Sequence, residues 1–400
     1  MADKATGRIT PPAFVNSPPL LAVFAVLPEA RIVGGAVRDT LAGRIVHDID
    51  LATPRDPVAV TAALEAAGIR VLPTGLAHGT VTALSQGIPY EITTLRRDRE
   101  TDGRHAQVEW TDDWRQDAAR RDFTFNALSM ASDGSLWDYF GGQADLAAGT
   151  VRFVGDPAQR IAEDYLRILR FFRFHARYAH GPADPAALVA LRAGIPGLSR
   201  LSPERVWWEL KGILSTPDPR EAVALMAELG VLEALVPGAD AAGLMRLPPD
   251  APADPLLRLA ALRHDVAALA EPLRMSAQER DTLLGFAGPA PDQSMDDATL
   301  RRLLADTPST ALIGRAWLAG GGLVLRRLTS ERPTFPLEGR DIVAEGVAPG
   351  PAVGVRLRAM RDWWIAGGCV ADHAACVAQL RRQLAADRLA ADQLAADGGR

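Results

Sequence analysis

Two rhythms of apolar and polar positions divide this chain. From about residue 20 to 150, short apolar runs of strand length alternate with stretches of helical period. Residues 32–33, 48–51, 81–84, 90–95 and 135–139 read as strands, and 61–67 and 120–129 as helices. Beyond residue 155 the strand rhythm stops. The remainder reads as helices separated by glycine- and proline-rich loops such as HGPADP, PGADAAG and GPAPDQ. The expectation is an α/β head followed by an all-helical remainder. Residues 1–20, rich in proline, read as a loose lead-in, and the Ala/Asp-rich last fifteen residues as a frayed helical end.

The densest information lies in residues 32–53, IVGGAVRDTLAGRIVHDIDLAT. An apolar run ends at Gly34-Gly35, a helical segment follows with Arg38 and Asp39, and the chain returns through Asp48-Ile49-Asp50. Residues two apart on a strand share a face, so Asp48 and Asp50 would aim two carboxylates at one point. Taken singly, a glycine pair is a turn and an Asp-x-Asp a solvated edge. Within some twenty residues of strand–turn–helix–strand, they suit a divalent metal and a phosphate. The glycines fit neither the dinucleotide fingerprint nor the P-loop, because Gly-x-Gly-x-x-Gly and Gly-Lys-Ser/Thr are both missing. Glu91, on the run YEITTLR, is either a third acid near this pair or a solvated strand residue. The turn 75–80, with His78, is either a ligand contact or a plain connection.

Two later segments extend the picture. Arg120-Arg121-Asp122 suits a phosphate clamp held by a side-chain pair. Read as one helix, residues 160–178 gather Ile161, Tyr165, Ile168, Leu169 and Phe172 on a core face. Asp164 and Arg167 then fall one turn apart on another face, with Arg170, Arg173 and Arg177 continuing a polar stripe. An amphipathic surface helix explains such a stripe. So does base recognition, since a carboxylate and a guanidinium together match a Watson–Crick edge.

Composition adds limits. At 400 residues and 48% hydrophobic content the chain has core enough for several domains. Its net charge of −5 argues against a nucleic-acid partner until the distribution is considered. From residue 151 to 215, ten Arg and Lys stand against six acids. Cys369 and Cys376 flank His373 but lack a fourth zinc ligand, so they read as inert, and two cysteines fit a reducing compartment. No signal-peptide core and no run of eighteen apolar residues is present, which makes a cytoplasmic location and no membrane association the expectation. His264-Asp265 reads as a surface pair rather than a phosphohydrolase metal motif.

The ordered segments GGxVRD with DxD, RRDFTxNA and EDxxR resemble the motifs of class II tRNA nucleotidyltransferases, the CCA-adding enzymes, to which bacterial poly(A) polymerases are related. TDGRHAQVEWTDDW is similar to their flexible-loop motif, LSPERVWWELKGIL to their last neck motif, and PLEGRDIVAEGVAPGPAVG to a late segment of bacterial members. The resemblance implies an α/β plus all-α fold: a small mixed-sheet head like that of DNA polymerase beta (21–150), a helical neck (151–215), a helical body (216–330) and an RNA-binding helical tail (331–400). It implies template-independent addition of CCA to the tRNA 3′ end from CTP and ATP. Asp48 and Asp50 would hold two Mg²⁺ ions, one activating the RNA 3′-hydroxyl and the other stabilising pyrophosphate, and Glu91 would be a third catalytic carboxylate beside them. Gly34, Gly35, Arg38 and Arg121 would contact the triphosphate. Asp164 and Arg167 would read the base, with Arg170 and Arg173 on the same nucleotide-facing stripe, and the loop Asp102-Gly103-Arg104-His105 would assist the change from CTP to ATP. Alternatives are poly(A) synthesis, CC-only or A-only addition, and a non-catalytic RNA-binding protein. No protein partner is implied.

Overall fold

A computed structural model describes residues 3–397, except 77–78, 102–105, 264, 323 and 329–331. The expectations for His78, for Asp102 to His105 and for His264 therefore lie outside the described residues. Contacts divide the chain into two compact units, Met1–Ala241 and Ala242–Arg400.

The first unit is built on a sheet whose strands are β1 (Gly7–Arg8), β2 (Arg31–Val33), β3 (Asp50–Thr53), β4 (Arg70–Gly75), β5 (Thr80–Ser85), β6 (Ile88–Thr94), β9 (Ser129–Met130) and β10 (Ser135–Trp137). Their order is β1-β10-β9-β2-β3-β6-β5-β4. A separate two-stranded ribbon pairs β7 (Arg96–Thr101) with β8 (Ala106–Trp110). The large sheet is mixed: β3 and β6 run parallel, with Asp50 opposite Glu91, while the neighbours are antiparallel. Parallel pairing needs a crossover, and helix α3 (Pro57–Ala66) with the β4–β5 hairpin supplies it. Asp56 caps α3 by accepting the Val58 and Ala59 N–H groups, and Pro57 opens it where no donor is needed.

Three expectations need correction. The lead-in is not loose: β1 adds an edge strand to β10, and helix α1 (Pro18–Val26) buries Leu20, Val23 and Phe24. Asp3 anchors it further, 2.6 Å from Arg31, whose guanidinium is sandwiched between Trp114 and Trp137. Residues 120–129 are not a helix. Helix α4 (Trp114–Ala119) ends before them, and the chain passes through an extended Phe123 and a single 3₁₀ turn, Thr124–Asn126, into β9. Tertiary packing overrides propensity here, because Phe123 and Phe125 must both enter an aromatic core with Phe153, Phe171 and Phe174. Residues 160–178 are not one helix either. Helix α6 (Pro157–Glu163) stops at Asp164, which is extended at φ −154°, and α7 (Leu166–Tyr178) starts anew.

Behind the sheet, α7 is the central helix, and Phe171, Phe172 and Phe174 on it are buried. It packs against α9 (Pro203–Leu214) and α10 (Arg220–Leu229), while α6 packs on α8 (Pro185–Gly194). The second unit is helical, from Gly243–Arg246 to the long His373–Asp397. One of its cores collects Ile342, Met360, Trp364, Cys369 and Cys376, so both cysteines are free and buried, as a packing role requires. Among the described residues no helix is long and apolar enough to cross a membrane.

Candidate active site

Gly34 ends β2 at φ +62°, ψ −118°, a backbone conformation open to glycine alone. A Cβ there would lie 3.0 Å from Nη1 of Arg121. The turn therefore does two things: it reverses the chain into helix α2 (Gly35–Leu41), and it lets an arginine lie against the backbone. Gly34→Ala should cost about 1–3 kcal/mol of stability by strain and displace Arg121. Denaturant melts paired with nucleotide-binding assays would check both effects.

Around this turn the first unit bears an open cavity of about 650 Å³. Its walls bring together Gly34, Gly35, Arg38, Asp50 and Arg121 from the head with Asp164, Arg167, Arg170 and Arg173 from the neck. Eight of its sixteen lining residues are arginine, which suits a polyanion of nucleotide size. Asp48 and Glu91 are not on the wall but adjoin Asp50. Glu91 is its cross-strand partner, roughly 4.8 Å away by strand spacing. Asp48 does not lie on a strand, as β3 begins at Asp50. It reaches Asp50 from the preceding segment, close enough for the two charges to interact. The Asp50 carboxyl is held above the ordinary carboxylate value, first by loss of hydration and then by the Glu91 and Asp48 charges, with Arg121 opposing.

Most of the cavity arginines are paired with an acid. Arg38 donates through Nε to Tyr178 at 2.9 Å and through Nη1 to Asn126 Oδ1 at 2.6 Å, and it pairs with Asp39. Arg120 and Arg121 both pair with buried Asp117, at 2.8 and 3.2 Å. Burial works to raise the Asp117 carboxyl, yet the two guanidinium groups and the Arg96 N–H bring it below its ordinary value. Asp122 is buried and accepts from Arg170 at 2.6 Å, from Asn126 at 2.9 Å and from the Phe123 N–H at 2.9 Å. There too burial is outweighed, chiefly by Arg170, and the carboxyl falls below its ordinary value.

The break at Asp164 changes how the pair expected to read the base is presented. Asp164 Oδ1 accepts the Leu166 N–H at 3.0 Å, while Oδ2 pairs with Arg205 at 2.7 Å. Arg167 donates to Glu163 at 2.6 Å and to the Arg160 carbonyl at 2.8 Å. The two side chains thus face the cavity from a helix start and the first turn after it, not from one continuous helical stripe. Arg170 and Arg173 share Glu209, and with Arg38 they surround the Phe174 ring, at 4.7 to 5.5 Å from its centre. Asn126, Phe174 and Arg205 carry no role in the sequence reading, although Asn126 stands inside RRDFTFNA and Arg205 inside LSPER. Asp122 is read there with the arginine pair, but its partner is Arg170, while Asp117 holds Arg120 and Arg121.

Oxygen donors from Asp48, Asp50 and Glu91 fit a hard divalent cation. Among the described residues no three such side chains converge closely enough to complete a cage from protein atoms alone. A Mg²⁺ site that relies on water and substrate phosphates for its other ligands has that character.

A mixed sheet presenting carboxylates on adjacent strands, beside an open arginine-lined cavity, is an arrangement suited to nucleotidyl transfer. The poly A polymerase head domain model matches residues 30–152, and a model described as the probable RNA and SrmB-binding site of polymerase A matches 184–242. CCA tRNA nucleotidyltransferase 1, mitochondrial, of Danio rerio is 38% identical over 360 residues, covering 84% of this chain and 83% of its own. The fold is shared with the Bacillus stearothermophilus CCA-adding enzyme solved in complex with CTP: TM-score 0.73 at 24% identity, covering 93% of this chain and 99% of that one. It is shared too with the Thermotoga maritima CCA-adding enzyme complexed with tRNA: TM-score 0.65 at 18% identity, covering 92% and 96%. The chain belongs to the CCA tRNA nucleotidyltransferase family and is an enzyme of that class.

Proposed function

We propose that this enzyme completes tRNA 3′ ends by adding CCA from CTP and ATP without a template, releasing pyrophosphate. One observation carries the reading: a single cavity joins Asp50, Arg38 and Arg121 to Asp164, Arg167 and Arg170, so bond-making groups and base-reading groups serve one nucleotide. Arg38 and Arg121 hold the triphosphate and offset its charge. Asp164 and Arg167 meet the edge of cytosine or adenine, taking the place of a template base. The Asp122–Arg170 pair keeps the floor of the cavity rigid, so the nucleotide is positioned rather than chemically activated by protein side chains.

Asp48, Asp50 and Glu91 hold the divalent metal, which we take to be two Mg²⁺ ions. When bound, these would lower the pKa of the attacking 3′-hydroxyl and neutralise the departing pyrophosphate. A cytoplasmic site of action, with tRNA, CTP and ATP as its partners, completes the reading.

The test uses transcripts ending before C, after C and after CC, each with single and mixed nucleotides and Mg²⁺. Stopping at CCA supports the reading. Long A-tails or arrest at CC would replace it with poly(A) or partial addition. Asp164→Ala should blur the choice of base and admit UTP or GTP while addition continues. Strict C/A selectivity in that variant would remove Asp164 from base reading.

A further inference from the structure

Helix α9 carries two tryptophans with opposite fates. Trp207 is buried, at 6% exposure, whereas Trp208 is 73% exposed. The helix shows why the second stands where it does. Arg205, Glu209 and Gly212, at i, i+4 and i+7, form the stripe that meets residues of the nucleotide cavity, and Arg205 lines it. Arg205 reaches Asp164 at 2.7 Å and Glu209 reaches Arg173 at 2.6 Å, while a Cβ on Gly212 would lie 2.7 Å from Arg173 Cδ. Trp208 lies at i+3 from Arg205 and i−4 from Gly212, so it neighbours this stripe on its solvent side. Side chains on a helix lean toward its N-terminus, which brings the indole over the Arg205 end. It does not line the cavity itself.

We propose that Trp208 is a stacking platform for the 3′-terminal base of the RNA, a positioning residue for the acceptor end. The inference rests on the proposed function. A group outside the cavity meets what enters from outside, and the incoming nucleotide is already held by side chains within. The acceptor ends in the tRNA's own last base at the first step of CCA addition and in a newly added C at the next two, so a platform there has to tolerate more than one base. An aromatic face does so, because every base has a π-face. The surrounding segment is net positive within an acidic chain, which favours an RNA backbone over a protein partner.

Steady-state kinetics on full-length protein with tRNA transcripts lacking CCA provide the test. Trp208→Ala should raise KM for tRNA roughly tenfold, the size of one lost base–aromatic stack, and leave KM for CTP and kcat unchanged. Trp208→Phe should restore most of the loss. On a transcript whose 3′-terminal nucleotide is abasic, Trp208→Ala and parent protein should behave alike. An unchanged KM for tRNA, a raised KM for CTP instead, or a full penalty on the abasic end would each overturn the proposal while the function stands. A parent protein inert toward every transcript would overturn both.

Discussion

Asp50→Asn should abolish addition of CTP and ATP alike, with turnover down by at least about a thousandfold for loss of a metal ligand, and yet the variant should be no less stable than its parent. The two outcomes have one cause. In the folded protein Asp50 faces Glu91 across a parallel pair and Asp48 from the adjoining segment. That crowding, with lost hydration, lifts its carboxyl above the ordinary value. A carboxyl so raised favours folding while it is protonated, and the benefit disappears as pH rises from the ordinary carboxylate value through the raised one. Near neutrality the parent therefore folds with an ionised group its surroundings disfavour, and an amide carries no such charge. Melting curves without divalent metal, taken from acid to neutral pH, should show the variant gaining on the parent as pH rises. Added Mg²⁺ should stabilise the parent more than the variant, since the ion relieves crowding only where the carboxylate remains. A variant that turns over within tenfold of the parent would end the assignment of Asp50 to metal.

Residues close in sequence made half of the site legible. The glycine turn, Arg38 and Asp50 fall in one short segment whose apolar and polar spacing already implies strand, turn and strand, and the cavity does collect all of them. The division into a mixed-sheet head and helices was legible for the same reason, as the period of apolar positions changes once. What escaped depends on pairings between distant segments. Nothing local places Glu91 opposite Asp50, which follows from a parallel register reached through a crossover. Nothing in a helical wheel announces that Asp164 leaves the helix. The break is stabilised by the Leu166 N–H, which donates to Asp164, and by Arg205 from α9. Residues 120–129 have reasonable helical spacing, but an aromatic core and a buried carboxylate claim their side chains first. Strands β1 and β9, of two residues each, are too short for any periodicity to show.

Asp122→Ala should be the most destabilising single change in the head–neck unit, lowering unfolding free energy by about 3–5 kcal/mol, as when one partner of a buried ion pair is removed. Its carboxylate joins the Arg170 guanidinium, the Asn126 amide and the Phe123 N–H at one point. The network continues outward: Asn126 Oδ1 holds Arg38, and Arg170 and Arg173 meet at Glu209. Truncation leaves the Asn126 donor and the Phe123 N–H without their acceptor in the interior, and removes the close partner of Arg170. Asp122→Asn keeps the shape and one acceptor while losing the charge, so it should fold better than the alanine variant. It should nonetheless bind nucleotide more weakly, because Arg38 and Arg170 are no longer fixed. The pH dependence gives a second check. The Asp122 carboxyl lies below its ordinary value, so its contribution to stability is full above about pH 4 and disappears as pH falls through the folded-state value. The stability gap between parent and Asp122→Ala should therefore be widest near neutrality and narrow in acid. A loss below about 1 kcal/mol, the range of an ordinary exposed pair, would show that Arg170 finds another partner and that Asp122 does not organise the site.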